Sequence, residues 1–233
     1  MKKFWKNVQV QKKIKNSFEI ILDKKILKTP MQNDLIFSNY KIAKETALEW
    51  DISEKEINTE NMVFYGLIST AIDKIHHDKV SYIENVLGFI NTDLICYRAD
   101  GPNELVDLQN SSWNPIISFI KKYIDVELKF FIGVMPSKQS LEIFVRLKTL
   151  INSFSDIEIS ALHRMTNLTG SIFISICILK GDVLKNEAFE LSFLDELWQA
   201  KNWGVEEESL DKRDKIAKEL NRIISFVELI RKE

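Results

Sequence analysis

At 233 residues, 45% hydrophobic and 28% charged, the chain has the make-up of a folded globular protein with room for a sizeable core, not that of a disordered tail. Lys and Arg number 32 against 34 Asp and Glu, and the net charge of -2 excludes the broad basic field by which nucleic acid or anionic lipid is attracted. The longest apolar run, Ile172 to Leu179, falls far short of the roughly 18 residues a membrane span requires, so no membrane insertion is expected.

The chain opens Met1-Lys2-Lys3-Phe4-Trp5-Lys6, which carries the charge of a signal peptide without the apolar stretch that should follow. Short strands are predicted next, at Val8–Val10, Phe18–Leu22, Ile26–Thr29 and Leu35–Phe37. Asp23-Lys24-Lys25, Pro30 and Asn33-Asp34 fall between them as turn signals, which gives a small antiparallel meander. From Ile42 the period changes: Ala43, Ala47 and Trp50 lie at helical spacing before Asp51-Ile52-Ser53 interrupts. Beyond about residue 60 helix follows helix. Leu67, Ala71 and Ile75 form one stripe, and Ile83, Val86, Leu87 and Ile90 continue it after His76-His77-Asp78. Further helices are predicted over 103–124, 138–152, 158–180 and 184–200. In a separate final segment Ile216, Leu220, Ile223, Val227 and Ile230 share a face that should dock on the body. One strand-like piece, Leu128 to Val134, is expected to rejoin the amino-terminal sheet. The predicted fold is α+β: a small amino-terminal antiparallel β domain over residues 1–60, packed without a flexible tether on a larger, mainly helical domain over 61–233.

Chemistry is sparse. No GxGxxG or GxxxxGK run offers backbone N–H groups to a phosphate. Cys96 and Cys177 stand alone in apolar surroundings, and His76 and His77, being adjacent, point about 100° apart on a helix and cannot easily share a metal. Neither a cofactor nor a metal is expected. His163 reads as a half-buried helix residue, Ser171 lacks the surroundings of an exposed nucleophile, and Gly170 is expected to let two helices approach closely. The unusual segment is Leu194 to Gly204, where Asp195 and Glu196 stand beside Trp198 and Trp203 and Gly204 suits the position past a helix end. Two uses of it stand side by side. Phe189, Phe193, Leu197 and Ala200 can form a core stripe with the acids facing water. Alternatively Glu196 and Gln199, spaced i,i+3, can present an acid and an amide to a partner's Arg or Lys, with tryptophan supplying contact area.

A set of ordered blocks carries a resemblance. Phe4-Trp5-Lys6-Asn7-Val8, Leu22-Asp23 with Thr29-Pro30, Glu49-Trp50-Asp51, and Met62 with Leu67 and Thr70-Ala71-Ile72-Asp73 come first. Thr92-Asp93-Leu94-Ile95-Cys96-Tyr97-Arg98 is the most specific; Trp113-Asn114-Pro115, Gly133-Val134-Met135-Pro136 with Gln139, Leu168-Thr169-Gly170-Ser171, and Asp195-Glu196 through Trp203-Gly204 complete the series. In this order the chain resembles the assembly chaperones of the ATP synthase alpha subunit. It departs from them at Asp23-Lys24-Lys25-Ile26, where members often carry Asp-Gly-Arg-Pro, and at Val63-Phe64-Tyr65 in place of Pro-Leu-Thr.

The resemblance implies a non-enzymatic, monomeric chaperone that binds the free alpha subunit of the catalytic head until the beta subunit replaces it. A first block at residue 4 leaves no room for a transit peptide, which implies a bacterial cytoplasmic protein. Glu196 matches an acidic position that matters in the family, with Asp195 beside it. Trp50 reads as a folding residue, while Asp93 and Arg98 either pair with each other or contact the partner. Two other uses stay open: a small enzyme in which Asp93, Asp195 and Glu196 converge, with or without a divalent metal, and an adaptor of the same fold with another client.

Overall fold

A computed structural model describes residues 3–14, 17–52, 57, 61–133, 137–204 and 207–231. The break expected at Ser53 and the boundary near residue 60 therefore lie outside the described residues.

Strands β1 (Val8–Lys12), β2 (Phe18–Leu22) and β3 (Lys25–Ile26) form an antiparallel sheet in that order, with Val8 opposite Leu22 and Ile21 opposite Ile26. The expected strand at 35–37 reduces to a bridge between Phe37 and Phe18, and Asp34 bridges Lys28. Lys24 stands where the chaperones this chain resembles often carry glycine, yet the β2–β3 turn closes because Asp23 itself takes a positive φ of 56°. Aspartate tolerates that conformation, and its carboxylate is held there by the N–H groups of Lys6 and Asn7.

Ile20 and Leu22 turn inward against α1 (Tyr40–Asp51), whose N-terminal N–H groups are capped by Asn39. Trp50 is buried where its ring meets that of Trp5 at a tilt and that of Tyr65 edge-on, and Trp5 Nε1 donates to its carbonyl. Across from it run α2 (Val63–Thr70), a five-residue π-helical segment (Ala71–Ile75) and α3 (Lys79–Leu87). After two short 3-10 turns comes β4 (Tyr97–Arg98), then α4 (Asn103–Ile124) and β5 (Phe131–Ile132). Here one expectation fails: β5 pairs with β4 in parallel and not with the amino-terminal sheet. Helix α4 intervenes as the crossover that two parallel strands need. Val134, the expected end of that strand, lies outside the described residues.

The helical remainder is α5 (Leu141–Asn152), α6 (Asp156–Thr169), α7 (Ile172–Lys180), α8 (Lys185–Ser192), α9 (Leu194–Trp203) and α10 (Glu207–Ile230). Two helices expected as continuous are broken. The 158–180 segment divides at Gly170, which sits at φ +67° as the left-handed terminator of α6, and at Ser171, which caps α7. A Cβ on Gly170 would meet nothing within 4 Å, so its role is conformational and not, as expected, to allow helices to approach. The 184–200 segment divides at Phe193, whose ring stacks on that of Phe189. Every residue from Ile172 to Leu179 is buried, which makes α7 the axis of the core and accounts for the longest apolar run. Among the described residues no helix is long and apolar enough to cross a membrane.

Candidate functional site

Helix α9 carries most of the side chains that the sequence singled out. It is tied down on one edge by Asp195, which accepts a 2.8 Å bond from Gln109 of α4; the Gln109 oxygen in turn accepts from the Ala99 N–H. Trp113, fully buried in α4, donates its indole N–H to the Leu191 carbonyl at the end of α8. Arg213 of α10 donates to the Glu196 carbonyl. The α8–α9 corner is therefore fixed by three bonds, two from α4 and one from α10.

Arg98 belongs to the same internal network. Its Nε donates to the Ile95 carbonyl, its terminal nitrogens reach Asn110 and Asn114, and its guanidinium lies 5.1 Å from the Trp113 ring centre and 5.2 Å from that of Phe130. Burial works against its charge, and Asp195 supports it. It does not pair with Asp93.

Asp93 is 0% exposed and lies at the start of α7. One of its oxygens accepts from Ser171 Oγ at 2.7 Å and from the Ile95 N–H; the other accepts from the N–H groups of Ile172 and Phe173. Those are orphan donors of a helix N-terminus, where a carboxylate is electrostatically favoured. Desolvation nevertheless dominates and pushes its pKa up to about 7. With its oxygens spent inside the core, Asp93 has no access to a partner.

The expected convergence of Asp93, Asp195 and Glu196 does not occur. Asp93 is in the core, Asp195 is bonded to Gln109, and Glu196 faces solvent. Among the described residues no group of three or more His, Cys, Asp or Glu side chains is placed to hold a metal ion.

What α9 leaves outside falls on two faces. Glu196, Gln199 and Trp203 project outward together, as helical spacing requires of positions three and seven apart. Trp203 is 73% exposed and sits edge-on to half-buried Trp198, with ring centres 5.4 Å apart and planes at 89°. On the inner face Leu194, Leu197, Trp198 and Lys201 form one wall of a groove of about 810 Å³ against α4 and α8. The α4 wall was not singled out in the sequence, although Pro115, in mid-helix, was a visible signal of an altered backbone there.

Comparison with known proteins places this arrangement. Residues 2–121 match the family model described as ATP12 chaperone protein. The mitochondrial protein atp12 of Schizosaccharomyces pombe is 26% identical over 226 residues, covering 89% of this chain and 75% of its own. The crystal structure of Atp12 from Paracoccus denitrificans superposes with a TM-score of 0.86 at 26% identity, over 98% of this chain and 97% of that one. A candidate chaperone from Agrobacterium tumefaciens superposes with a TM-score of 0.89 at 31% identity, over 98% and 86%.

Proposed function

The chain belongs to the ATP12 chaperone family, and from that membership we propose that it binds the unassembled alpha subunit of the ATP synthase catalytic head and shields its interface until the beta subunit takes over. The observation that carries the reading is the outer face of α9. A tryptophan left 73% exposed contributes little to the core, and the exposed acid Glu196 stands two turns away on the same helix face. Tryptophan and a charge-pairing acid suit an exposed face to protein recognition. A subunit destined for a ring exposes apolar surface before assembly and is prone to aggregate. Covering that surface reversibly requires neither catalysis nor ATP hydrolysis, so the reading is of a non-enzymatic holder. A bacterial cytoplasmic location, a monomeric state and a division near residue 60 into β-rich and helical domains belong to the same proposal.

The test is co-elution of purified chain with isolated alpha subunit, together with suppression of that subunit's aggregation. Wild type forms the complex. Glu196→Lys and Trp203→Ala each weaken it by about tenfold or more while their circular dichroism and melting stay those of wild type. Failure of the wild-type chain to bind the alpha subunit in any form refutes the reading. Loss of folded structure in both variants moves these residues from recognition to stability.

A further inference from the structure

The inner face of α9 supports a second contact. Leu108, Ser111, Ser112, Pro115 and Phe119 lie on one stripe of α4 and face Leu191, Leu194, Leu197 and Trp198 across the groove. The apolar strip from Leu108 to Phe119 runs for about 16 Å, or roughly three helical turns. It is not sealed: Leu108 is 39% exposed, Pro115 is exposed, and Phe119 and Trp198 are half-buried. A trough of this length between helices accommodates an amphipathic helix through anchors at i, i+3, i+4 and i+7.

Charge specifies which helix. The groove is lined by three carboxylates, Asp182, Glu187 and Glu190, against the ammonium of Lys201, and the Lys122 ammonium lies 4.9 Å from the ring centre of Phe119. Asp182 accepts from Tyr123 and Glu187 from the Leu184 N–H, whereas Glu190 is exposed on the α8 wall. Pro115 has no N–H, so the Ser111 carbonyl receives no helical bond from position 115. The excess of carboxylate calls for donors. We infer that this groove seats an amphipathic helix of the client whose apolar face is flanked by lysine or arginine. The identity of the client rests on the chaperone reading; the groove's preference does not.

The experiment separates the two. A fluorescein-labelled Leu/Lys amphipathic helix and its Leu/Glu counterpart, each about 18 residues long, are titrated with the full chain while anisotropy is read, and the isolated alpha subunit is titrated in parallel. The Leu/Lys helix binds at least about tenfold more tightly than the Leu/Glu helix, and it competes with the alpha subunit. Ser111→Trp, which fills the groove from an exposed position, weakens the Leu/Lys helix about tenfold. Glu190→Lys, a surface change that leaves packing intact, weakens it several-fold and lessens its salt dependence, so the groove is still tested should Ser111→Trp fail to fold. Equal binding of the two helices overturns the inference, as does undiminished binding by both variants. If the alpha subunit binds wild type and both variants equally, the groove inference falls and the chaperone reading stands. If the Leu/Lys helix binds and the alpha subunit does not, the chaperone reading falls and the groove stands. A concentration-dependent dimer abolished by Ser111→Trp, without helix binding, assigns the groove to a second copy and overturns the inference.

Discussion

Asp93→Asn tests the physics of the core. In the folded chain the Asp93 carboxyl is pushed up to about 7, whereas in an unfolded chain it titrates near about 3.9. Between those values the folded state holds a proton that the unfolded state has released, so stability is greatest on the acid side and is lost as the pH rises through about 7. The slope is about 1.4 kcal/mol per pH unit within the window, so raising the pH from about 5 to about 7 removes roughly 2 kcal/mol of this contribution. Asparagine imitates the protonated acid. Its oxygen can serve the Ile172 and Phe173 N–H groups while its NH₂ donates to Ser171 Oγ, with the Ile95 N–H losing its acceptor. That loss costs about 1 kcal/mol at low pH. Urea unfolding of both proteins from pH 5 to pH 8 isolates the group, because every other titration cancels in the difference. The variant starts slightly less stable, and the gap closes and then reverses as the pH rises. A difference that stays constant across the range refutes the reasoning, as it would mean that the four donors hold Asp93 ionised throughout.

Other predictions follow from the same accounting of donors and burial. Glu49 of α1 accepts the N–H groups of Phe64 and Tyr65 at the start of α2 and pairs with Arg222 of α10. Glu49→Ala should cost about 2–3 kcal/mol in denaturant unfolding, since both amides are orphaned in the interior while partly exposed Arg222 keeps some hydration. Gly170→Ala should cost about 1 kcal/mol through its positive φ alone, since the space for a Cβ is already there, and Gly170→Asn less, because asparagine tolerates the left-handed region; equal losses for the two would point to a clash instead. Burial pushes the Cys96 and Cys177 thiols well above the usual range. Both should therefore resist a thiol reagent at pH 8 until urea unfolds the chain, and fast labelling of either one under native conditions would contradict that.

Much of the fold was legible because it rests on local periodicity. The α4 boundaries, the α10 stripe and the buried run of α7 follow from apolar spacing, which a single sequence carries intact. The misread breaks have local causes of a different kind. Gly170-Ser171 was visible as a pair, but a glycine between two apolar helical stretches suits close packing as well as a left-handed terminator, and only φ distinguishes them. Phe193 carries no breaker chemistry at all; its conformation is imposed by the docking of α8 and α9 on α4. Pairing of β5 with β4 depends on a crossover, which no pattern of alternation encodes.

The candidate site was legible to a lesser degree, for a reason that also bears on how such a chain could work. Asp93, Asp195 and Glu196 look alike in sequence, but each takes its role from what lies across from it: a helix N-terminus, a glutamine, and solvent. Buried acids recur as clasps between elements. Glu49 joins α1 to α2 and α10, and Asp93 joins the segment before β4 to α7. Asp73 binds the Thr29–Asn33 turn to the π-helical segment. Burial alone would raise the Asp73 pKa, and the bonds from Thr29, Asn33 and the Met31 N–H outweigh it and hold it below the usual carboxylate range. Such clasps fix the body at points remote in sequence, so the outer face of α9 and the groove beneath it are presented on a rigid frame. A rigid frame limits the ordering entropy lost on binding, which suits the reversible holding proposed for this chain.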